Sequence, residues 1–193
     1  MGLQQLEAAG FDRLQIMIDR AHKHNIEFLG GLRMNDRHNA SSPLYDAHPE
    51  WQLREYPGGM DYKYDGVRKI VLTFIEEFLE RYDVDGLELD WMRWCHMFQR
   101  LEAERNAPIL TEFVGQVRLL LDQAAAKRGR TRLALGVRIP QTLEECRLLG
   151  FDVAAWVRNS SVDFICPSDF FHTDTNIKVE DFVKLVAGTS CRV

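Results

Sequence analysis

The feature that most constrains this chain is the regular exchange of two hydrophobic periods along it. Segments with apolar residues three and four apart alternate with short apolar runs of strand length. In FDRLQIMIDRAHKH, residues 11–24, Leu14, Met17, Ile18 and Ala21 form one helical face and Asp12 is placed to cap it. NIEFLGGLRMND, Asn25 to Asp36, is then a short apolar run ending in polar residues. From Asp65 the helical period returns in Val67, Ile70, Val71, Phe74, Phe78 and Leu79, and a strand follows from Val84 to Asp90. A helix over about 109–128, striped by Leu110, Val114, Val117, Leu120 and Leu121 and stopped by Gly129, leads to the strand RLALGVRIP. TLEE, Thr142–Glu145, is a capping-box signature, and a second short helix begins at Asp152. VDFICPSDFF is a fourth strand, VEDFVKLVAG a helix closed by Gly188, and CRV the start of a further strand.

Strict alternation of this kind means parallel strands joined by right-handed helical crossovers. Two architectures fit, an eightfold barrel and an open doubly wound sheet. An open nucleotide-binding sheet carries a Gly-rich turn after its first strand. Here there is no GxGxxG and no Walker sequence, and Gly30–Gly31 lies inside a strand. The expected fold is α/β, a (β/α)8 barrel of the TIM type. A complete barrel takes about 250 residues. These 193 residues supply four strands and the beginning of a fifth, so 1–193 is expected to be a single domain, a truncated piece of a catalytic barrel.

Composition excludes several function classes. Hydrophobic residues at 46% and charged residues at 27% exclude a disordered or fibrous chain. The net charge of −5 argues against nucleic acid as a partner. Cys95, Cys146, Cys166 and Cys191 are scattered without a CxxC pair, and read as free thiols rather than a disulfide framework or metal site. No run approaches the roughly 20 apolar residues of a membrane span. No signal peptide is visible, and both a cytoplasmic and a secreted location stay open. No cofactor is expected, and the oligomeric state is not readable.

In a parallel barrel, functional side chains gather at the C-terminal strand ends and on the loops that follow. Those ends give Arg33, Asn35, Asp36 and His38; Glu88, Asp90 and Arg93; Arg138; and Ser168, Asp169 and His172. Side chains alternate along a strand. Glu88 and Asp90 therefore share one face, while Leu87, Leu89 and Trp91 take the face toward the helices. A carboxylate turned toward the barrel axis needs a partner or a purpose. Asp90, nearer the mouth, is the expected functional one. Glu88 lies deeper and either joins the site or pairs with Arg33 or Arg138. Asp85 reads as a turn or cap residue with Gly86, and His22 and His24 as surface residues compensating a helix dipole. Flat rings beside carboxylates suit a sugar; Trp94 and Trp51 are the platform candidates, whereas parity puts Trp91 in the core. The connection of about 30 residues after the first strand suits a lid or binding loop.

YDVDGLELDWMRW, with the preceding helix YDGVRKIVLTFIEEFLERYDVDG and the HPEW loop, resembles the family 10-like glycosyl hydrolases, bacterial barrel proteins of mostly unproven activity. FDRLQIMIDRAHKHNIEFLGGLRMND is similar to the unit ending in their third strand, and VDFICPSDFF to their sixth. The resemblance implies strands three to six plus the start of the seventh, and a glycosidase with Asp90 as leading catalytic carboxylate. Compared with the D-x-x-D-x-D-x-E strand of family 18 chitinases, Asp85, Glu88 and Asp90 fall on the first three positions, but Met92 stands where the acid would be. A thioether cannot donate a proton. Glycoside hydrolysis uses two carboxyls, about 5–5.5 Å apart for retention or about 6.5–9.5 Å for inversion. The expected pair is Asp90 with Asp169, with Glu88 in reserve. Arg33, Asn35, Asp36, His38, Trp51, Arg93, Trp94 and Arg138 are the expected substrate-binding residues, with carbohydrate as partner. Alternatives are a non-catalytic carbohydrate- or cell-wall-binding barrel, and a metal-assisted hydrolase using Asp36, His38, Asp90 and Asp169.

Overall fold

The computed structural model describes residues 8–35, 43–56, 58–92, 94–169 and 177–193. Helix α1, Arg13–Lys23, begins where the Asp12 carboxylate accepts the backbone N–H groups of Leu14 and Gln15. Strand β1, Leu29–Arg33, follows. The long connection after β1 is less irregular than its sequence suggests. It contains a short helix α2, Pro43–Ala47, and a 3-10 turn, Pro49–Trp51. Helix α3, Asp65–Arg81, then leads to β2, Gly86–Asp90. Two 3-10 turns precede helix α4, Ala107–Lys127, which Gly129 ends with a φ of 65° that favours glycine. Strand β3 is Ala134–Pro140, helices α5 and α6 are Leu143–Leu148 and Val153–Arg158, strand β4 is Phe164–Ser168, and helix α7 is Val179–Val186. At α5 the Thr142 hydroxyl accepts the Glu145 N–H and donates to its carboxylate, so the box closes on the side chain. CRV contributes one parallel bridge, Arg192 to Phe164.

The four strands form one parallel sheet in the order β1-β2-β3-β4. Arg33 pairs in register with Asp90, Asp90 with Arg138, and Arg138 with Cys166. One sheet face is apolar and covered by helices. Leu87, Leu89, Leu135, Val137, Ile139 and Ile165 are all buried there against Val67, Ile75, Val114, Val117 and Leu121. Burying a side chain of this size contributes roughly 1.5–3 kcal/mol. Trp91, immediately after β2, is fully buried among Tyr62, Phe113, Phe151 and Trp156, as parity predicts. The α3 stripe departs from expectation. Ile70 and Phe74 are exposed, Phe74 beside β1, while Val67, Ile75 and Leu79 form the buried edge of the helix.

Two aspartates tie the strands together at their N-terminal ends in the same way. The Asp85 backbone N–H donates to the Phe28 carbonyl, and its carboxylate accepts the Phe28 N–H at 2.7 Å. Asp163 does the same to Leu135, with the N–H bond to its carboxylate at 2.8 Å. Each carboxylate also meets arginine: Arg130 at 2.7 Å on Asp85, and Arg118 and Arg132 at 3.2 and 2.7 Å on Asp163. Asp85 is therefore more than a turn residue. His22, expected on the surface, is its third partner at 2.9 Å, a contact 63 residues apart that helix position alone does not reveal. Burial would raise the Asp85 carboxyl, but the Phe28 N–H, His22 and Arg130 outweigh it and hold it below its ordinary value.

Candidate active site at the strand ends

The other sheet face carries charged side chains. Along β2 it presents Gly86, Glu88 and Asp90, and the two carboxylates are partly buried where Leu87 and Leu89 on the opposite face are fully so. Asp90 is held from two directions. The Met92 N–H donates to its Oδ1 at 3.0 Å, and Arg138 Nη1 lies 3.3 and 3.1 Å from its two carboxylate oxygens. Arg138 reaches the other way with Nε and Nη2, which donate to Ser168 Oγ at 3.2 and 3.1 Å. One guanidinium therefore spans from β2 to β4 across its own strand. Arg138 was expected to hold substrate; its described contacts are with protein groups.

Glu88 lies one alternation deeper, and its registered neighbours are Gly31 on β1 and Gly136 on β3. A Cβ at Gly136 would stand 1.9 Å from the Phe164 ring, so that ring fills the space the glycine leaves. No described donor bonds to the Glu88 carboxyl. Burial beside this ring, and then the negative charge of Asp90, raise its pKa from the ordinary value, with Arg138 pulling the other way. Arg138 thus pairs with Asp90 and only influences Glu88. Cys166, in register with Arg138, is raised by burial and by Glu88.

The remaining expected residues scatter. Asn35 is buried, and its amide binds backbone: Nδ2 donates to the Met60 and His96 carbonyls, and Oδ1 accepts the Met60 N–H. It joins the connection after β1 to the one after β2. Trp51 has His48 stacked on it at 3.7 Å, and its ring edge approaches so close to Gly66 that a Cβ there would stand 2.4 Å away. These contacts seat it against the start of α3. Arg33 is exposed at the β1 end, Trp94 is half-buried, and Asp169 follows directly after β4, where its carbonyl accepts the Ser168 hydroxyl at 3.3 Å. Asp36, His38, Arg93 and His172 lie outside the described residues. Among the described residues, no group of three or more His, Cys, Asp or Glu side chains could hold a metal ion, and no helix is long and apolar enough to cross a membrane.

Sequence reasoning gave Ser168 a place but no role, and passed over Asp61. The Asp61 carboxyl is fully buried, which raises its pKa, while the Lys63 backbone N–H and the ammonium at 3.3 Å oppose the rise. Lys63 also pairs with Glu102 at 3.2 Å, tying the same two connections together. Nothing in the local sequence marks this aspartate. Glycines at Gly31 and Gly136, in the same strand phase as Glu88, were the available signal for a confined carboxyl.

Comparison with known proteins agrees with the parallel sheet. A family model described as glycosyl hydrolase-like 10 matches residues 1–98, half of the chain. A glycosyl hydrolase of Bacillus subtilis (strain 168), YngK, is 30% identical over 93 residues, 42% of this chain and 18% of that protein. Among solved structures, the putative sporulation-specific glycosylase ydhD from Bacillus subtilis aligns with 94% of this chain and 56% of its own, at a TM-score of 0.56 and 15% identity. A family 18 N-acetylglucosaminidase from Paenibacillus barengoltzii aligns over 80% of this chain and 39% of its own, at 0.53 and 14% identity. The chain thus spans between about a fifth and just over half of these relatives.

Proposed function

The chain belongs to the glycosyl hydrolase-like 10 family, and from that premise we propose that it forms strands three to six of a (β/α)8 glycoside hydrolase acting on O-glycosidic bonds of a poly- or oligosaccharide. Asp90 is the reacting carboxylate. The observation that carries this reading is its clamp: the Met92 N–H and the Arg138 guanidinium hold a charged oxygen at a strand end, in fixed orientation. Such a group attacks an anomeric carbon, or activates the water that does.

Two carboxyls must flank the scissile bond. Glu88 and Asp90 rise from one strand and approach from the same side, about 6.7 Å apart along it. Asp169 leaves the end of β4, two strands away, and is the better second carboxyl, protonating the leaving oxygen. Glu88 remains the reserve acid. Met92 is buried and donates its backbone N–H to Asp90, so the position of a family 18 acid is apolar here. That disfavours substrate-assisted hydrolysis on this strand.

The test is the full-length protein on a panel of glycans, beside Asp90→Asn, Asp169→Asn and Glu88→Gln. Hydrolysis falls by about 10²–10⁴-fold in the first two, with glycan binding retained. If both are as active as the parent, the assignment fails. If the parent binds glycans and cleaves none, the barrel is a binding module. If a chelator abolishes cleavage, metal-assisted hydrolysis replaces the two-carboxyl reading.

A further inference from the structure

Glycine inside a strand weakens it, and so marks a place where something approaches closely. Most of the strand glycines here have such a neighbour within the protein. A Cβ on Gly30 would stand 2.7 Å from the Phe78 ring, one on Gly86 2.3 Å from the Ala134 carbonyl oxygen, and one on Gly136 1.9 Å from the Phe164 ring. Gly31 differs. No described atom lies within 4 Å of where its Cβ would be, and its φ is not in the left-handed region that favours glycine. Neither packing nor backbone among the described residues calls for a glycine at this position.

What stands beside the gap is a carboxyl. Gly31 pairs in register with Glu88, so both face the barrel axis, one alternation deeper than Arg33 and Asp90. Glu88 is partly buried, and no described donor bonds to it. Its other registered neighbour, Gly136, is covered by the Phe164 ring, so the open flank is the one toward Gly31. A half-buried carboxyl without a donor is unfavourable, and a ligand hydroxyl placed beside Gly31 would relieve it. In a closed barrel the gap left by one missing side chain is one strand wide, about 4.8 Å. That is too narrow for a sugar ring, but it admits a single-carbon arm ending in a hydroxyl.

We propose that Gly31 is a specificity-determining residue, which leaves a slot beside Glu88 for the hydroxymethyl arm of a hexose, whose hydroxyl donates to the Glu88 carboxyl. The slot deepens the reading of the mouth as a saccharide site and rests on it. It adds the substrate class: hexose units rather than pentose units, which lack that arm.

Calorimetric titration of the intact full-length protein with cellotetraose, chitotetraose, maltotetraose and xylotetraose checks this, beside Gly31→Ala, Gly31→Val and Glu88→Gln. The parent should bind at least one hexose tetraose about 10–100-fold more tightly than xylotetraose, the worth of one hydrogen bond to a charged group. Gly31→Val should bring that hexose down to the level of xylotetraose and leave xylotetraose binding unchanged, and Gly31→Ala and Glu88→Gln should each lose part of the preference. Gly31→Ala should not lower Tm, because alanine fits the space and restricts the unfolded chain. A parent that binds no hexose tetraose, or binds none better than xylotetraose, overturns the proposal, as does a preference that survives Gly31→Val. A lower Tm in Gly31→Ala overturns it too, since another part of the protein would then fill the slot as Phe164 fills that of Gly136. If Gly31→Val does not fold, the other two variants decide: a reduced preference in both supports the slot, and an undiminished one in either overturns it. Parental cleavage by Asp90→Asn would end the reading of Asp90 and leave the hexose preference in place, so the two fail separately.

Discussion

Replacing Asp85 with alanine removes the acceptor for three donors: the Phe28 N–H at 2.7 Å, Arg130 Nη1 at 2.7 Å and His22 Nε2 at 2.9 Å. They do not contribute equally. His22 and Arg130 are each 31% exposed and can turn to water, so each ion pair adds under about 1 kcal/mol. The Phe28 N–H lies at a partly buried strand start and loses a charged acceptor, at about 1–3 kcal/mol. The expected loss is about 2–3 kcal/mol, or roughly 5–10 °C in Tm for a domain of this size. Urea unfolding followed by far-UV circular dichroism and tryptophan fluorescence measures it. The pH dependence has a definite sign. The folded Asp85 pKa lies below 3.8, so its contribution is complete above that value and is lost as pH falls through the folded pKa. The difference between parent and Asp85→Ala should therefore shrink in acid. A loss below about 0.5 kcal/mol near neutrality, within the range of ordinary surface changes, would refute the clamp. So would a loss that does not diminish in acid.

Gly136→Ala forces a methyl into the Phe164 ring, 1.9 Å away, and should cost about 1–3 kcal/mol in the same urea assay; Phe164→Leu, by vacating ring atoms, should recover part of it. Glu88→Gln should stabilise the fold near neutrality. A raised folded pKa means the carboxyl costs stability once pH exceeds its unfolded value, so the gain should appear above about 4.5 and vanish below it.

The order of elements was legible because each rests on local rules: Asp12 and Thr142 as caps, Gly129 as a stop, and a stripe or run between them. Parity alone placed Trp91 in the core and set Glu88 and Asp90 on the opposite face. What local rules do not carry is the choice among partners. Arg138 is within reach of either carboxylate from its sequence position, and the strand register sets it opposite Asp90. Asn35 sits at a strand end like a binding residue, yet the carbonyls that claim its amide come from Met60 and His96, in two different connections. Phe74 obeys the helical period but stands exposed beside β1, which has no further described strand alongside it.

Gly86 has a consequence for how the chain finds its register. A one-residue slip of β2 against β3 turns Glu88 and Asp90 into the apolar layer, which their charge forbids. A two-residue slip keeps every side chain on its proper face and still offers Arg138 a carboxylate, namely Glu88. Hydrophobic patterning and charge pairing are both blind to that error. The carbonyl oxygen of Ala134 is not, because it stands 2.3 Å from where a Cβ on residue 86 would be. That slip brings Val84 opposite Ala134 in the place of Gly86 and would drive its side chain into backbone, so one glycine proofreads the alignment of the carboxylates.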